Sequence, residues 1–312
     1  MKISVVMATY NGEKYITEQL DTILNQTRKI DELIICDDRS KDNTVSVVKA
    51  YIAEYNLGDK WSIYLNEKNL GYANNFHKAT LMATGELIFF SDQDDLWRED
   101  KIEIMSAIME EKGDCQVLCS DYLPYYDGME ETNASKKALK KMPDTGKLEK
   151  VSLSNRSIYI GAIGCCMCVR KDFYHNISSY WFDNWAQDDR MWRLSQCVDG
   201  CYVLHSRLIK HRLHTNNTST YGKYHTIEKR VQLFNNMQNA NKVMRKMITD
   251  NGSNKKKKSI LDKHILMMAH RIEMLKKRNL FKVVPLLMYF PYYQEIKSFL
   301  VEIYMVIKRS EL

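Results

Sequence analysis

The 312-residue sequence has few of the features that mark secreted, membrane-spanning or disordered chains. It contains only 4 prolines, and its one low-complexity tract is a run of four lysines, so a folded globular protein is expected. The chain opens directly on a strand-like run without a signal-peptide pattern. No segment reaches the ~18–20 apolar residues needed to span a bilayer. These absences predict a cytoplasmic protein.

The eight cysteines lack the spacing of a disulfide framework or of a structural zinc site. The cluster Cys165–Cys168 and the pair Cys197 and Cys201 do not form the two C-x2-C pairs of a structural zinc site, because Cys197 and Cys201 are separated by three residues. The cluster also lies in an apolar, strand-like run. Because free cysteine is among the most buried residue types, buried thiols are expected here.

Charge is divided unevenly along the chain. Residues 1–220 contain 27 Lys and Arg against 32 Asp and Glu, whereas residues 221–312 contain 19 against 7. A basic helical tail suits nucleic acid or an anionic membrane surface. Since the tail has no recognisable nucleic-acid motif and no interleaved stacking aromatics, a nucleic-acid partner is not predicted.

The first ninety residues alternate predicted strands and helices. Strands are expected at residues 3–8, 32–36, 61–65 and 87–90, and a helix follows each of the first three. This alternation indicates βαβ units and a parallel sheet, and right-handed crossovers bring the strand ends to one edge. The predicted fold class is α/β, with a mainly parallel central sheet flanked by helices.

Each of the four predicted strands ends in a polar cluster. Any one cluster is typical of a turn, but ligands of open α/β sheets bind at the carboxyl ends of the strands, so the coincidence of four favours a nucleotide site. The clusters are Thr9-Tyr10-Asn11, Asp37-Asp38, Asn69 to Asn75, and Asp92-Gln93-Asp94-Asp95. The glycine-rich fingerprints G-x-G-x-x-G and G-x-x-x-x-G-K-[ST] are absent. Recognition would therefore depend on carboxylates and a metal.

The fourth cluster places three carboxylates within four positions. Carboxylates this close raise one another's pKa unless a cation stabilises them, and Mg²⁺ commonly binds one or two carboxylates together with phosphate oxygens. In the alternative interpretation, Asp95 caps a helix that begins at Leu96, because Asp is a good N-cap. Both are compatible if Asp92 and Asp94 face the ligand.

With these motifs in place, residues 1–220 resemble the family 2 glycosyltransferases of GT-A fold, especially bacterial members that build surface polysaccharides, including rhamnosyltransferase-like enzymes. The motifs occur in the family's order, with Arg39 where glycine is more usual. The matching segments are Val5–Gly12, Ile35–Thr44, Asn69–Phe76 and Phe90–Trp97. The resemblance implies a catalytic domain over residues 1–220 and a basic helical extension over residues 221–312.

The resemblance also implies roles for the clusters. Thr9 and Tyr10 would line the nucleobase and ribose pocket, Tyr10 by stacking, and Asp38 would accept a hydrogen bond from the base. Asp92 would lie near the ribose, and Asp94 would bind Mg²⁺ or Mn²⁺ between the two phosphates. Further residues assigned to the donor site are Asn11, Asn69, Gly71, Asn75 and Gln93.

The second half of the resemblance concerns the acceptor side and the catalytic base. Residues 160–166 resemble the family's small-residue segment beside the donor sugar, although a strand with glycines for close packing is the alternative. The family's catalytic carboxylate aligns with the segment Gln187-Asp188-Asp189. In the family this carboxylate follows an acidic residue or a histidine, whereas in this sequence Gln187 precedes Asp188. The base is therefore Asp188, which we favour, or Asp189. Helix N-termini favour acidic residues in any case.

Residues 211–217 resemble the family's Arg-x-His segment near the diphosphate. Arg212 would neutralise phosphate charge, and His214 would ligate the metal or contact phosphate. His205 and His225 receive no role.

The reaction implied is inverting transfer of a sugar from a nucleoside-diphosphate sugar to a hydroxyl of a glycan or lipid-diphosphate-linked acceptor. The alternative is a module that binds nucleotide or glycan without catalysis, which Gln187 keeps open.

The tail from Tyr221 onward is predicted to be helical, with a loop or hinge over residues 251–258 and interrupted apolar helices over 280–307. Apolar helices flanked by cations suit the interface of an anionic membrane. Peripheral contact with the inner face of the cytoplasmic membrane is therefore expected through residues 255–309. The alternative is a helical cap packed on the catalytic domain.

Overall fold

The computed structural model of the chain describes residues 1–131, 136, 139–140, 142–214, 226–252 and 254–308. The chain divides into two compact units. The first comprises Met1–Val151, Ala162–Ser195 and Gly200–Asn216, and the second comprises Ser152–Gly161, Gln196–Asp199 and Asn217–Leu312. The boundary expected between residues 220 and 221 lies outside the described residues, as do Thr215 to Asn217, His225 and residue 309, so the two-domain division stays a prediction.

Nine strands in the described part of the first unit form one sheet. They are β1 Ile3–Thr9, β2 Glu32–Asp37, β3 Trp61–Leu65, β4 Leu87–Ser91, β5 Leu96–Trp97, β6 Val117–Tyr126, β7 Leu148–Val151, β8 Met167–Arg170 and β9 Cys201–Leu213. Their order is β3-β2-β1-β4-β8-β6-β9-β5, with β7 also paired to β9.

The first four strands are parallel. β1 pairs with both β2 and β4, and β2 pairs with β3. Thr9 is in register with Asp37, and Met7 is in register with Ser91. The polar residues after these strands therefore share one edge of the sheet, and the predicted α/β class is confirmed.

The second half of the sheet is mixed. β8 is antiparallel to β4 and β6, and β6 is parallel to β9. The prediction that a helix starts at Leu96 is wrong. Leu96 and Trp97 form β5, in which they pair with Lys210 and Ile209 of β9. The helix begins at Lys101 instead, whose ammonium lies 3.3 Å from the centre of the buried Trp97 ring. Asp95 is therefore not a helix cap.

The described helices of the first unit flank this sheet. They are α1 Ile16–Leu24, α2 Thr44–Glu54, α3 Tyr72–Met82, α4 Lys101–Glu111, α5 Lys171–Asn176 and α6 Gln187–Cys197. Gly164–Cys166 form a 3₁₀ turn before β8. All eight cysteines are free and all except Cys197 are buried, as expected for buried thiols.

The second unit is helical in its described C-terminal part. Its helices are α7 Ile227–Asp250, α8 Lys255–Lys277, α9 Val283–Leu287 and α10 Ile296–Lys308, with 3₁₀ turns at Leu280–Lys282 and Phe290–Tyr292. α7, α8 and α10 contribute Phe234, Met267, Met274, Phe299 and Met305 to one apolar core. Among the described residues, no helix combines the length and the apolar character needed to cross a membrane.

The lysine run is helical, not part of a hinge. Asn254 caps α8 by accepting a hydrogen bond from the backbone of Lys257, so only residues 251–254 can connect the two long helices, and Ser253 among them lies outside the described residues. The buried Lys257 ammonium donates to the carbonyls of Gln196 and Cys197, both at 2.9 Å. Since the last carbonyls of a helix lack partners within it, Lys257 caps the end of α6.

Candidate active site

The loop after β1 is fixed by side chains from the neighbouring strand ends. Gln93 accepts a hydrogen bond from the Tyr10 backbone N–H at 2.9 Å and donates one to its carbonyl at 3.1 Å. A Cβ on Gly12 would overlap the Gln93 side chain. Asn11 has a left-handed backbone with φ of 51°, and its N–H donates to the Ser40 hydroxyl at 2.8 Å. The Tyr10 ring remains exposed, so its outer face is free to stack.

The Thr9 side chain points into the sheet edge instead of outward. Thr9 is buried, and its hydroxyl donates to Asp37 at 3.0 Å. The same carboxylate accepts from the backbone and hydroxyl of Ser40. Asp37 therefore ties the loop after β2 to the end of β1.

Asp38 organises the loop that leads into α3. Its buried carboxylate accepts hydrogen bonds from the backbones of Leu70 at 2.7 Å and Gly71 at 2.8 Å and from the Asn66 amide at 2.8 Å. Two further residues complete this network: Asn69 donates to the Asp38 carbonyl at 3.0 Å, and Asn75 donates to the Cys36 carbonyl at 2.7 Å. Gly71 has φ of 76°, a value that favours glycine. Asp38 thus has three protein donors, and its contact with a base stays a prediction.

Three carboxylates meet at the end of β4. Burial, with the charges of Asp95 and Asp94, raises the pKa of Asp92 to about 8. Burial and the charge of Asp95 also raise the pKa of Asp94. Within the described residues, neither carboxylate oxygen of Asp92 accepts a hydrogen bond, and Asp94 has one partner, His214, 2.8 Å from its Oδ2.

The third carboxylate is neutralised by a histidine that the sequence analysis did not select. His211 Nδ1 lies 2.9 Å from Asp95 Oδ1, which also accepts from the Arg212 backbone at 3.0 Å. Although burial opposes both charges, the two side chains stabilise each other, so the pKa of Asp95 is lowered and that of His211 is raised to about 9. Asp95, His211 and Cys165 place ligand atoms within 4.8 Å of one another. This is a possible metal-binding triad.

Arg212 and His214 extend from β9 over the same cluster. The buried Arg212 donates to the Asp94 carbonyl at 2.8 Å and lies 2.5 Å from a carboxylate oxygen of Glu18. Its guanidinium also packs 4.5 Å from the centre of the Tyr15 ring. Arg212 therefore already has a carboxylate partner, and its contact with phosphate stays a prediction.

The two candidate bases at the start of α6 have different surroundings. Asp189 accepts from the Trp185 indole at 2.8 Å and from Arg193 at 2.7 and 2.8 Å. Asp188 accepts only the Asp189 backbone N–H, at 2.8 Å on Oδ1, and its Oδ2 has no donor within the described residues. Burial and the charge of Asp189 raise the pKa of Asp188 to about 6. The charge of Asp188 also raises the pKa of Asp92, so the two carboxylates lie close enough to interact.

The small-residue segment meets the start of α6. A Cβ on Gly164 would lie 3.0 Å from the Gln187 amide nitrogen and 3.6 Å from the Asp188 Cβ. The first of these distances is tighter than ordinary packing, so a side chain here would displace the Gln187 amide, whereas the distance to Asp188 is an ordinary contact. Gly164 therefore lets this segment approach the start of α6 closely.

A buried arginine lies two residues after Asp188. Arg190 is fully buried, and none of its guanidinium nitrogens has a hydrogen-bond acceptor within the described residues. The guanidinium lies 4.6 and 4.8 Å from the ring centres of Tyr174 and Trp181. Burial and the Arg190 charge lower the pKa of the neighbouring His77 to about 4. No motif in the sequence indicates that Arg190, Tyr174 and Trp181 come together.

The first unit thus carries every residue predicted for the site. Gln93 contacts the Tyr10 loop, Asp38 contacts the Asn69–Gly71 loop, and the carboxylates after β4 face His211, His214 and Asp188. The only sequence signal for His211 was its place next to Arg212, in a strand that ends beside the acidic cluster.

Comparison with known proteins identifies the class. The glycosyl transferase family 2 model matches residues 4–177. TarS of S. aureus in complex with UDP superposes with a TM-score of 0.62 at 16% identity, covering 99% of this chain and 92% of that one. A mannosyltransferase of Pyrobaculum calidifontis in complex with GDP-Man and Mn²⁺ gives a TM-score of 0.58 at 16% identity, covering 99% and 88%. The predicted GT-A fold is confirmed.

The chain belongs to glycosyl transferase family 2. Among curated relatives, Escherichia coli WfgD, a UDP-Glc:α-D-GlcNAc-diphosphoundecaprenol β-1,3-glucosyltransferase, is 33% identical over 107 residues, which cover 34% of this chain and 40% of WfgD. Streptococcus pneumoniae glycosyltransferase GlyG is 33% identical over 123 residues, which cover 39% of this chain and 40% of GlyG. The matched segments span less than half the length of these relatives.

Proposed function

We propose that the chain is an inverting, metal-dependent glycosyltransferase that moves a sugar from a nucleoside-diphosphate sugar to a hydroxyl of a glycan or lipid-linked glycan. The observation that carries the proposal is a set of carboxylate oxygens that accept no hydrogen bond from the described residues: both oxygens of Asp92, Oδ1 of Asp94 and Oδ2 of Asp188. Burial raises the pKa of all three carboxyl groups, and the charge of a neighbouring aspartate adds to the shift of each: Asp95 for Asp92 and Asp94, and Asp189 for Asp188. Such raised pKa values are expected where a cation and a proton are handled.

The donor set fits a hard divalent cation. Asp94 and Asp92 offer carboxylate oxygens, and a positive charge there would offset the burial and the neighbouring negative charges that raise the pKa of Asp92 to about 8. Asp94 would hold Mg²⁺ or Mn²⁺, with His214 as a further ligand. When bound, the ion would neutralise the charge that develops on the leaving diphosphate. His211 is engaged by Asp95, so we assign that pair to positioning Asp94.

The nucleoside would lie across the ends of β1 and β2. Tyr10 is exposed and its backbone is held by Gln93, which suits stacking against a base. Thr9, Asn11, Asp38, Asn69, Gly71 and Asn75 would support this part of the site, chiefly through the loops they fix. The structural relatives with UDP and with GDP-Man leave the base open.

Asp188 would be the catalytic base, and Asp189 would position it. A sugar hydroxyl is a weak nucleophile at neutral pH, so a carboxylate must take its proton as it attacks. A pKa of about 6 keeps Asp188 ionised at neutral pH yet more basic than an exposed carboxylate. Asp189 is engaged by Arg193 and Trp185 and so cannot approach an acceptor without losing these bonds. One displacement with one base inverts the anomeric carbon.

The proposed acceptor is a hydroxyl of a lipid-linked glycan, and the activity of one relative, WfgD, supports it. WfgD acts on a sugar linked through diphosphate to undecaprenol, which supports a lipid-diphosphate-linked acceptor for this chain. Such an acceptor would make membrane contact useful.

The test is release of nucleoside diphosphate from a panel of UDP-, GDP- and dTDP-sugars, with Mn²⁺ or with chelator, for the wild type and Asp188→Asn. The proposal expects metal-dependent release by the wild type and near loss of release in the variant. The anomeric configuration of the product, read by NMR, tests inversion, and a retained configuration would remove Asp188 from its role. Donor binding without turnover would favour a non-catalytic module.

A further inference from the structure

The second unit exposes large apolar side chains over one short stretch of chain. Phe281 is 86% exposed and Met288 is 81% exposed. Val284 and Leu287 between them are also exposed, whereas Leu286 is fully buried. The segment therefore attaches to its unit through one side and presents the other to the surroundings. Exposed apolar patches on this scale mark interaction sites.

Helix α10 repeats this arrangement. Its inner face buries Phe299, Met305 and Val306. Its opposite face carries an apolar stripe at helical spacing, formed by Ile296, Leu300, Tyr304 and Ile307, each exposed. A helix that needed only to cover a core would carry polar residues on its outer face. The outer stripe is therefore available for a contact with something other than the core of this unit.

Cations border both apolar segments. Residues 276–308 contain six Lys and Arg against two Glu, and one of the two, Glu302, is fully buried. Lys277 and Lys282 share Glu273 as an ion-pair partner at 2.9 and 3.0 Å. Lys276, Lys297 and Lys308 are exposed, and no carboxylate pairs with them within the described residues. The surface as a whole is apolar with a positive margin.

We propose that this surface, Phe281 to Lys308, docks on an anionic lipid bilayer, with the apolar stripe in the headgroup region and the lysines against lipid phosphates. Amphipathic segments with basic margins bind this way. A second copy of the chain is disfavoured because it would bring two positive margins together. Within the lysine run Lys255–Lys258, the ammonium of Lys257 is buried against the carbonyls of Gln196 and Cys197, so this lysine takes no part in the proposed contact.

The experiment is flotation of the full chain with phosphatidylcholine vesicles that contain or lack phosphatidylglycerol, without donor or acceptor. The proposal expects binding only to the anionic vesicles and release by high salt, because surface charge attraction is screened. The double substitution Phe281→Ser/Met288→Ser should weaken binding about tenfold or more, since two apolar side chains leave the interface. The control is Leu266→Ser, a change at another exposed leucine of the same unit, which should bind as the wild type.

A second pair of variants tests the charge. Lys297→Gln/Lys308→Gln should weaken binding about tenfold or more, whereas Lys255→Gln/Lys256→Gln, a change outside this surface, should have little effect. Equal binding to both kinds of vesicle, no binding at low salt, or a dimer that Phe281→Ser/Met288→Ser dissociates would each overturn the proposal. The contact would serve the proposed transfer to a lipid-linked acceptor. Vesicle binding is measured without turnover, so its failure and failure of the catalytic assignment are distinguishable.

Discussion

The side-chain amide of Gln93 makes two hydrogen bonds to the backbone of Tyr10, one with each of its polar ends. These hydrogen bonds join Gln93, which lies between Asp92 and Asp94, to the loop proposed to hold the nucleobase. The loop that carries the carboxylates and the loop proposed to hold the nucleobase are therefore connected directly by hydrogen bonds at the edge of the sheet.

Gln93→Ala should weaken donor binding by up to about thirtyfold, because loss of two hydrogen bonds of about 1 kcal/mol each frees the Tyr10 loop. Isothermal titration with a nucleoside diphosphate measures the change in Kd. Gln238→Ala, which removes one side-chain bond to the Ile265 carbonyl in the second unit, is the matched control and should leave Kd unchanged. Unaltered affinity in Gln93→Ala would show that the loop needs no such support.

Asp188→Asn should lower kcat by about 10²–10⁴ with little change in the donor Kd, the range typical of a lost general base. Asp189→Asn should act less strongly, through loosening of Arg193 and Trp185. For the wild type, kcat/KM should fall about tenfold per pH unit below the Asp188 pKa of about 6, because only the ionised carboxylate accepts a proton. A larger loss in Asp189→Asn than in Asp188→Asn would reverse the assignment.

Asp188→Asn should also stabilise the folded state at neutral pH. The pKa of Asp188 is raised from 3.8 to about 6 on folding, so the native state holds its proton more tightly than the unfolded state between these values. Stability contributed by this group is therefore lost as pH rises through that window. At pH 8, Asp188→Asn should gain up to about 3 kcal/mol of unfolding free energy in urea titrations, and the gain should vanish below pH ~4. A variant less stable than the wild type at pH 8 would contradict this.

Mn²⁺ should raise the thermal midpoint of the wild type, because an ion bound only to the folded chain stabilises it by mass action. Asp94→Asn should abolish most of the shift. Asp114→Asn, which removes an exposed ion pair with Lys150, should keep it. Differential scanning fluorimetry across a Mn²⁺ series measures all three, and an equal shift in Asp94→Asn would place the ion elsewhere, for example at Asp95, Cys165 and His211.

Arg190→Met should retain or increase stability by about 1–2 kcal/mol, because a buried charge without an acceptor costs more in lost hydration than it returns. Arg190→Lys keeps the charge but loses the flat packing on Tyr174 and Trp181, so it should be less stable than the methionine variant. The pKa of His77, now about 4, should rise in Arg190→Met when followed by NMR. A strong destabilisation by methionine would mean that the guanidinium charge is stabilised by its surroundings.

The parts of the fold that sequence reasoning predicted are those with a local pattern. The first four strands are short apolar runs, and their ends carry Asn, Asp and Gly, so their positions and shared edge follow from periodicity and crossover handedness. The start of α6 at Gln187 was equally visible. The choice between Asp188 and Asp189 was not, because it depends on the positions of Arg193 and Trp185.

The parts that escaped prediction depend on residues distant in sequence. Leu96 and Trp97 look like a helix start after Asp95, but they pair with Ile209 and Lys210, more than a hundred positions away. The same strand brings His211 to Asp95. Lys257 looked like part of a solvated run, yet it caps a helix that ends sixty residues earlier. No short window contains such partners.

The ion pair between Arg271 and Glu302 limits how the last helix can behave at a lipid surface. Arg271 on α8 donates to both carboxylate oxygens of the fully buried Glu302 on α10, and Arg230 of α7 lies 3.6 Å from the same carboxylate. If α10 peeled away to sink among acyl chains, two arginines would be left in an apolar core without their counter-ion. This ion pair holds α10 against α7 and α8. Binding to lipid should therefore be shallow and reversible, and the three helices should bind together without separating.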